Sequence, residues 1–322
     1  MRNQFGISGF RTIFSLIAFG FSIASFTGPS VGAGFASELP IDSASVDPSK
    51  SQYSDVQKFI RAVVKQYPKN ASLITLGISD SGKPIEGLKI GNGPVHNLVV
   101  STHHGNEYGS TEVAKGFAAS IAANPIVGQT VFVIPVLNIT GYNAKNREEV
   151  AGVDSHDPNR DYPGPCGTSG PHKLKDTALL AKFIDQQGVI ASATLHTYYP
   201  AVMYPWGIST HDLSTPYDDQ FKTLVEAATV ESKYQTGNST AVLYPADGTF
   251  EDYAFWKHGI WSLLFELGNS HNPSPADVKE MVNVNVPGLR RMLEQAPRLR
   301  AEKHDFTGKC DTKSRSLDRH DE

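Results

Sequence analysis

The chain has 322 residues, with 33 acidic and 29 basic side chains, 39% hydrophobic residues and two cysteines. That hydrophobic share, with 10% aromatics, excludes wholesale disorder, and a net charge of -4 offers no broad basic surface for nucleic acid. Two cysteines exclude a disulfide-dense scaffold or a multi-cysteine zinc centre, whereas eleven histidines leave a His/carboxylate metal site open.

Residues 1–36 carry Arg2 and Arg11 and no acid. Their apolar run, Thr12–Phe26, is short of the ~20 residues of a membrane span. Small residues follow around Ala33 and Ala36, and the stretch reads as a secretory signal peptide, with a retained anchor as the alternative. Removing 36 of 322 residues leaves 286, the upper end for one domain. The expected location is secreted or periplasmic, with no stable membrane association after signal removal. Residues 37–52 form a polar leader.

Tyr53, Val56, Phe59, Ile60, Val63 and Val64 follow helical spacing. Leu73–Ile78 and Ile85–Ile90 read as strands joined by a turn at Ser79–Gly82. Asn97–Ser101 is a buried strand, Thr111–Ala123 a helix and Thr130–Leu137 another buried strand. A loop-like region spans Asn138–His172. Leu174–Gln187 is a helix, Val189–Leu195 a strand, Gln220–Lys233 a helix and Ala241–Leu243 a short strand. Phe250–His258 is a short helix, Trp261–Leu267 a strand and Ala276–Gln295 a closing helix, before a polar tail over 303–322. Buried strands alternating with helices predict an α/β fold, a mixed, mostly parallel sheet with helices on both faces. The catalytic domain is expected over 53–302.

In such sheets active residues gather at strand ends. His104 and Glu107 follow the Asn97–Ser101 strand, and His196 follows Val189–Leu195. Imidazole and carboxylate are ordinary zinc ligands, and a catalytic zinc takes three protein ligands plus water. Each residue alone also fits a loop or packing role. Asn159 and Arg160 lie in a Pro-bounded loop and can grip a carboxylate, with Arg147 upstream. Glu266 sits inside the apolar stretch Ser262–Leu267, where a carboxylate is costly unless paired or working.

Taken together these residues resemble the zinc carboxypeptidases of the carboxypeptidase A type, over roughly Tyr53 to Gln295. The motifs are Thr75–Gly91, His104-Gly105-Asn106-Glu107, Asp157–Pro163, His196, Tyr204–Gly207 and Phe265-Glu266-Leu267. Tyr244 lies at the family's distance before Glu266. The resemblance implies that His104, Glu107 and His196 hold one Zn²⁺. Glu266 would take a proton from the zinc-bound water and pass it to the leaving amine, and Arg147 would polarise the scissile carbonyl. Asn159, Arg160 and Tyr244 would bind the free C-terminal carboxylate of a peptide substrate.

The family's usual Arg between the first two ligands is Asn106 here, a form shared with aspartoacylase-like deacylases. The Arg147–Arg160 stretch is shorter than in the animal enzymes, Gly268–Pro275 differs, and no propeptide-sized segment is expected before Tyr53. By register from Tyr244, Glu251 falls at the floor of the family's specificity pocket, which implies a preference for Lys, Arg or an amine-bearing residue such as diaminopimelate. The alternative for Glu251 is a solvated helix face. Competing functions are a zinc amidase on cell-wall peptides or N-acyl amino acids, and a non-catalytic peptide-binding protein of the same fold. In an exported chain Cys166 and Cys310 can pair and tie the tail near the site, or remain free thiols.

Overall fold

The computed structural model describes residues 47–310 apart from 168–170, 212–213 and 304. The expected signal peptide, most of the polar leader and the end of the tail lie outside the described residues. Helix α1 (Tyr53–Gln66) opens on a capping box between Gln52 and Asp55 and buries Val56, Phe59, Ile60 and Val63, a stripe at helical spacing. The order continues β1 (Ala71–Ile78), β2 (Pro84–Gly91), β3 (Val95–Ser101), α2 (Tyr108–Ala123), β4 (Gln129–Ile134), α3 (Ile139–Ala144), β5 (Glu149–Ala151), β6 (Asp154–His156), α4 (Lys175–Gln186) and β7 (Ala191–His196). It ends β8 (Ala201–Tyr204), α5 (Asp218–Ala228), β9 (Gln235–Asn238), α6 (Ser239–Val242), α7 (Phe250–His258), β10 (Trp261–Glu266) and α8 (Pro275–Gln295).

Eight strands form one sheet in the order β1-β2-β4-β3-β7-β10-β8-β9. The central run β4-β3-β7-β10 is parallel, and β1, β2 and β8 bring the antiparallel pairings. Every residue of β4 and β7 is buried, so both faces of the centre are covered. This is the mixed, mostly parallel α/β sheet that the apolar runs predict. Helix α2 packs on α8, α8 on α5, and α7 on β7 and β10.

Three local expectations change. Ala241–Leu243 is not a strand: Asn238 caps the helical turn α6 by accepting from the Thr240 and Ala241 amides, and a capped turn outweighs a three-residue β preference. The helix expected to Lys233 ends at Ala228. The Asn138–His172 loop holds α3 and the β5–β6 hairpin, and β8 and β9 add strands that the sequence did not mark.

Cys166 and Cys310 are joined by a disulfide across 144 residues, one of the two outcomes left open for them. Before it, Phe306 packs edge-on against Trp206, and Ser209 donates to the Lys309 carbonyl. Among the described residues no helix is long and apolar enough to cross a membrane.

Candidate active site

The parallel register sets His196 of β7 beside Glu266 of β10. His104 and Glu107 come from the segment between β3 and α2, the next strand over. That segment depends on a close approach of backbones. A Cβ on Gly105 would lie 1.9 Å from the Gly141 carbonyl carbon, so only glycine fits. The approach lets Gly105 donate to the Arg147 carbonyl at 3.2 Å, which draws the Arg147 segment over the strand ends.

His104, Glu107 and His196 converge, with one donor atom from each within 4.8 Å of the others. His104 Nδ1 lies 2.7 Å from Glu107 Oε1, and His196 Nδ1 lies 3.0 Å from Glu107 Oε2. The two imidazole Nδ1 atoms are 3.1 Å apart. All three side chains are buried. Burial alone would raise the Glu107 carboxyl, but His104 and His196 reverse that and hold it well below its ordinary range. A buried carboxylate with two imidazoles facing it is a suitable donor set for a tetrahedral divalent zinc.

Arg147 lies across this group. Its Nε and Nη2 donate to Asp157 Oδ2 at 3.1 and 2.8 Å, its Nη1 is 3.2 Å from His104 Nδ1 and 3.9 Å from Glu107 Oε1. It is therefore in the site rather than a free surface arginine. Glu266 is half-buried at the end of β10. Burial, with Glu107 nearby, pushes its carboxyl well above the usual range. A divalent cation at Glu107 opposes that push.

A second group lies beyond Glu266. Asn159 is buried, and its Oδ1 accepts from the Phe250 amide at 2.9 Å, at the start of α7. Arg160 Nη2 reaches the Tyr244 hydroxyl at 3.4 Å, and Tyr244 is 47% exposed. Glu251, in the first turn of α7, is 2% exposed with Oε2 unpartnered, which removes the solvated-helix alternative. Beside it Asp252 accepts from the Gly207 amide at 2.9 and 3.1 Å. Burial, then Glu251, raises Asp252 well above its ordinary value.

Asp157 is the residue that motif reasoning left without a task. It caps the turn Pro158–Arg160, and its Oδ1 lies 3.0 Å from His104 Nε2. A ligating histidine commonly donates its other N–H to a carboxylate, which fixes the ring and tautomer. An aspartate ten residues after Arg147, next to the Asn-Arg pair, was the available signal. Asp157→Asn is expected to weaken zinc affinity about 10- to 100-fold, measured by competition with a chromogenic chelator.

A family model for zinc carboxypeptidases matches residues 56–288. Carboxypeptidase B of Astacus astacus is 26% identical over 269 residues, covering 70% of this chain and 88% of that protein. Carboxypeptidase SOL1 of Arabidopsis thaliana is 22% identical, covering 80% of this chain but only 58% of that protein. Among solved structures, bovine thrombin-activatable fibrinolysis inhibitor in complex with tick carboxypeptidase inhibitor superposes with a TM-score of 0.70 at 16% identity, covering 76% of this chain and 96% of that one. The murein-tripeptide amidase MpaA of Escherichia coli O157 gives 0.51 at 15% identity, covering 70% and 93%. At such identities these structures speak to the fold.

Proposed function

The chain belongs to the zinc carboxypeptidase family, hydrolases of peptide bonds, and on that premise we propose that it is an exported enzyme that removes the C-terminal residue of peptides. The observation that supports this reading is the link between two groups: the His104, Glu107 and His196 cluster beside Glu266, and the Asn159, Arg160 and Tyr244 group, joined by Asp157, which caps the Pro158–Arg160 turn and lies 3.0 Å from His104 Nε2.

Bound zinc supplies Lewis acidity and lowers the pKa of water toward about 7. Arg160 and Tyr244, with Asn159, hold the substrate's terminal carboxylate, which sets the last peptide bond against Glu266. Glu266 takes a proton from the attacking water and returns it to the nitrogen of the departing residue, so the same carboxylate serves as base and then acid. Arg147 faces the scissile carbonyl oxygen as charge develops there, an effect worth roughly a few kcal/mol.

Glu251 supports a preference for basic or amine-bearing C-terminal residues. A buried carboxylate is costly unless it is paired, and among the described residues Oε2 has no hydrogen-bond partner. The decisive experiment is residue release from peptides ending in Lys, Arg, diaminopimelate or Phe, with and without chelator. Chelator-sensitive release of the basic residues is expected, and Glu251→Gln should cut the Lys-over-Phe ratio of kcat/KM. Loss of one partner from a buried charge pair costs about 2–5 kcal/mol, or roughly 30- to 4,000-fold. A Phe preference in the unmodified enzyme refutes the role of Glu251.

Asn106 favours a second reading, an amidase for cell-wall peptides with the same zinc machinery. A substrate whose scissile bond is γ-D-glutamyl separates the two: faster turnover of it than of the α-linked peptide supports the amidase.

A further inference from the structure

The segment 143–157 presents Arg147 and Asp157 to the site, yet nearly all of it is exposed or half-buried. Val150 is 41% and Val153 fully exposed. In this run one side chain is buried, Glu149, at 0% exposure. The hairpin is thus anchored by a carboxyl. Neither Glu149 oxygen has a donor in good geometry, and nor does Oδ2 of Asp176, which is also fully buried. The two carboxyls nonetheless meet in hydrogen-bonding contact. Two carboxylates cannot bond to one another, whereas a carboxyl and a carboxylate can.

We propose that Glu149 and Asp176 share one proton, and that this hydrogen bond positions the hairpin carrying Arg147 and Asp157. Hydrogen-bonding contacts from Thr140 to Glu149 and from the Asp80 amide to Asp176 lower the two carboxyls without overcoming burial. Asp80, in the β1–β2 turn, is a third acid; its amide donates to Asp176 Oδ1 at 3.3 Å, and it is itself engaged with Lys175, whose amide donates to Asp80 Oδ2 and whose Nζ is 3.7 Å from Oδ1. From α3, Thr140 faces Glu149. His156 lies opposite Glu149 in the hairpin register. Tyr53 and Tyr162 face Asp176. Lys145, at the end of α3, is committed to the Ser51 carbonyl. Among the described residues no lysine or arginine forms an ion pair with Glu149. Burial and the neighbouring acids push both carboxyls up, Asp176 to about 9.

The folded state then holds a proton that the unfolded chain has lost above about pH 4–5. Stability falls as pH rises toward the folded value, because the unfolded state binds fewer protons. Glu149→Gln and Asp176→Asn each place a permanent donor opposite a carboxylate. The test compares unmodified enzyme with Glu149→Ala, Glu149→Gln and Asp176→Asn by kcat and KM on a Lys-terminated peptide at pH 7. It also follows the Tm of the zinc-free proteins from pH 7 to 10. Glu149→Ala should lower kcat about tenfold through misplacement of Arg147, with KM little changed. Both amide variants should restore kcat and flatten the alkaline fall in Tm.

If Glu149→Gln is as impaired as Glu149→Ala, or if the amide variants lose Tm in parallel with the unmodified protein, the shared proton is refuted. Should Glu149→Ala not fold, the two volume-preserving amides still decide. The positioning claim rests on the carboxypeptidase reading, but the Tm comparison uses no substrate. An inactive unmodified enzyme with the expected Tm pattern would therefore count against that reading and not against the pair.

Discussion

Glu266→Gln should leave an enzyme that folds, retains zinc and binds peptide, and turns over about 10² to 10⁴-fold more slowly. The amide matches the carboxylate in volume, so the register that sets residue 266 beside His196 is undisturbed. The loss is of proton transfer alone. The half-buried carboxyl ends a strand whose other five residues are buried, where few side chains could substitute as base. The expected signature is a fall in kcat with KM within a fewfold, because the proposed carboxylate-binding residues Arg160 and Tyr244 are untouched. Zinc content near one per chain distinguishes this from a damaged metal site. Full activity in the variant would overturn the assignment of the base.

His196→Ala should abolish both zinc retention and activity, and zinc should not restore turnover at concentrations that saturate the unmodified enzyme. His196 is wholly buried and supplies one of three donor atoms. With two donors left, the site loses the three-ligand arrangement of catalytic zinc. A chelator should mimic the substitution reversibly in the unmodified protein. Metal analysis after dialysis, paired with a residue-release assay, reads both effects; a stoichiometric zinc content in His196→Ala would refute the ligand set. The protein should stay folded, since the Thr197 amide still donates to Glu107 Oε2 and the Leu267 amide to the carbonyl of residue 196 around the vacated side chain.

The sheet centre was legible because its strands are short stretches dominated by apolar and small residues, the pattern of a doubly covered sheet. The same logic exposed His104, Glu107, His196 and Glu266, polar residues at the ends of such runs. β8 was missed because Ala201–Tyr204 is four residues long, and β9 because Gln235–Asn238 is a polar edge strand. Asp157 and Glu149 were harder for a different reason. Each acts through a neighbour that is close in space and not marked in sequence: His104 lies 53 residues from Asp157, and Asp176 sits in a helix whose acid reads as solvated. An acid in a polar segment carries no sign of burial until the fold supplies its surroundings.

The order of the strands also bears on how the protein is made. His104 and His196 are 92 residues apart, and Glu266 is further along, on the strand beyond. These side chains come together only once β3, β7 and β10 are paired in register, so the site is a product of the slow, non-local part of folding. Metal ions in solution therefore find no preformed nest in a nascent chain and select the completed sheet. Such selective binding stabilises the completed sheet by mass action, by about 2.7 kcal/mol when free ion stands at 100 times its dissociation constant. Free zinc is thus expected to raise the stability of the folded protein as well as its activity.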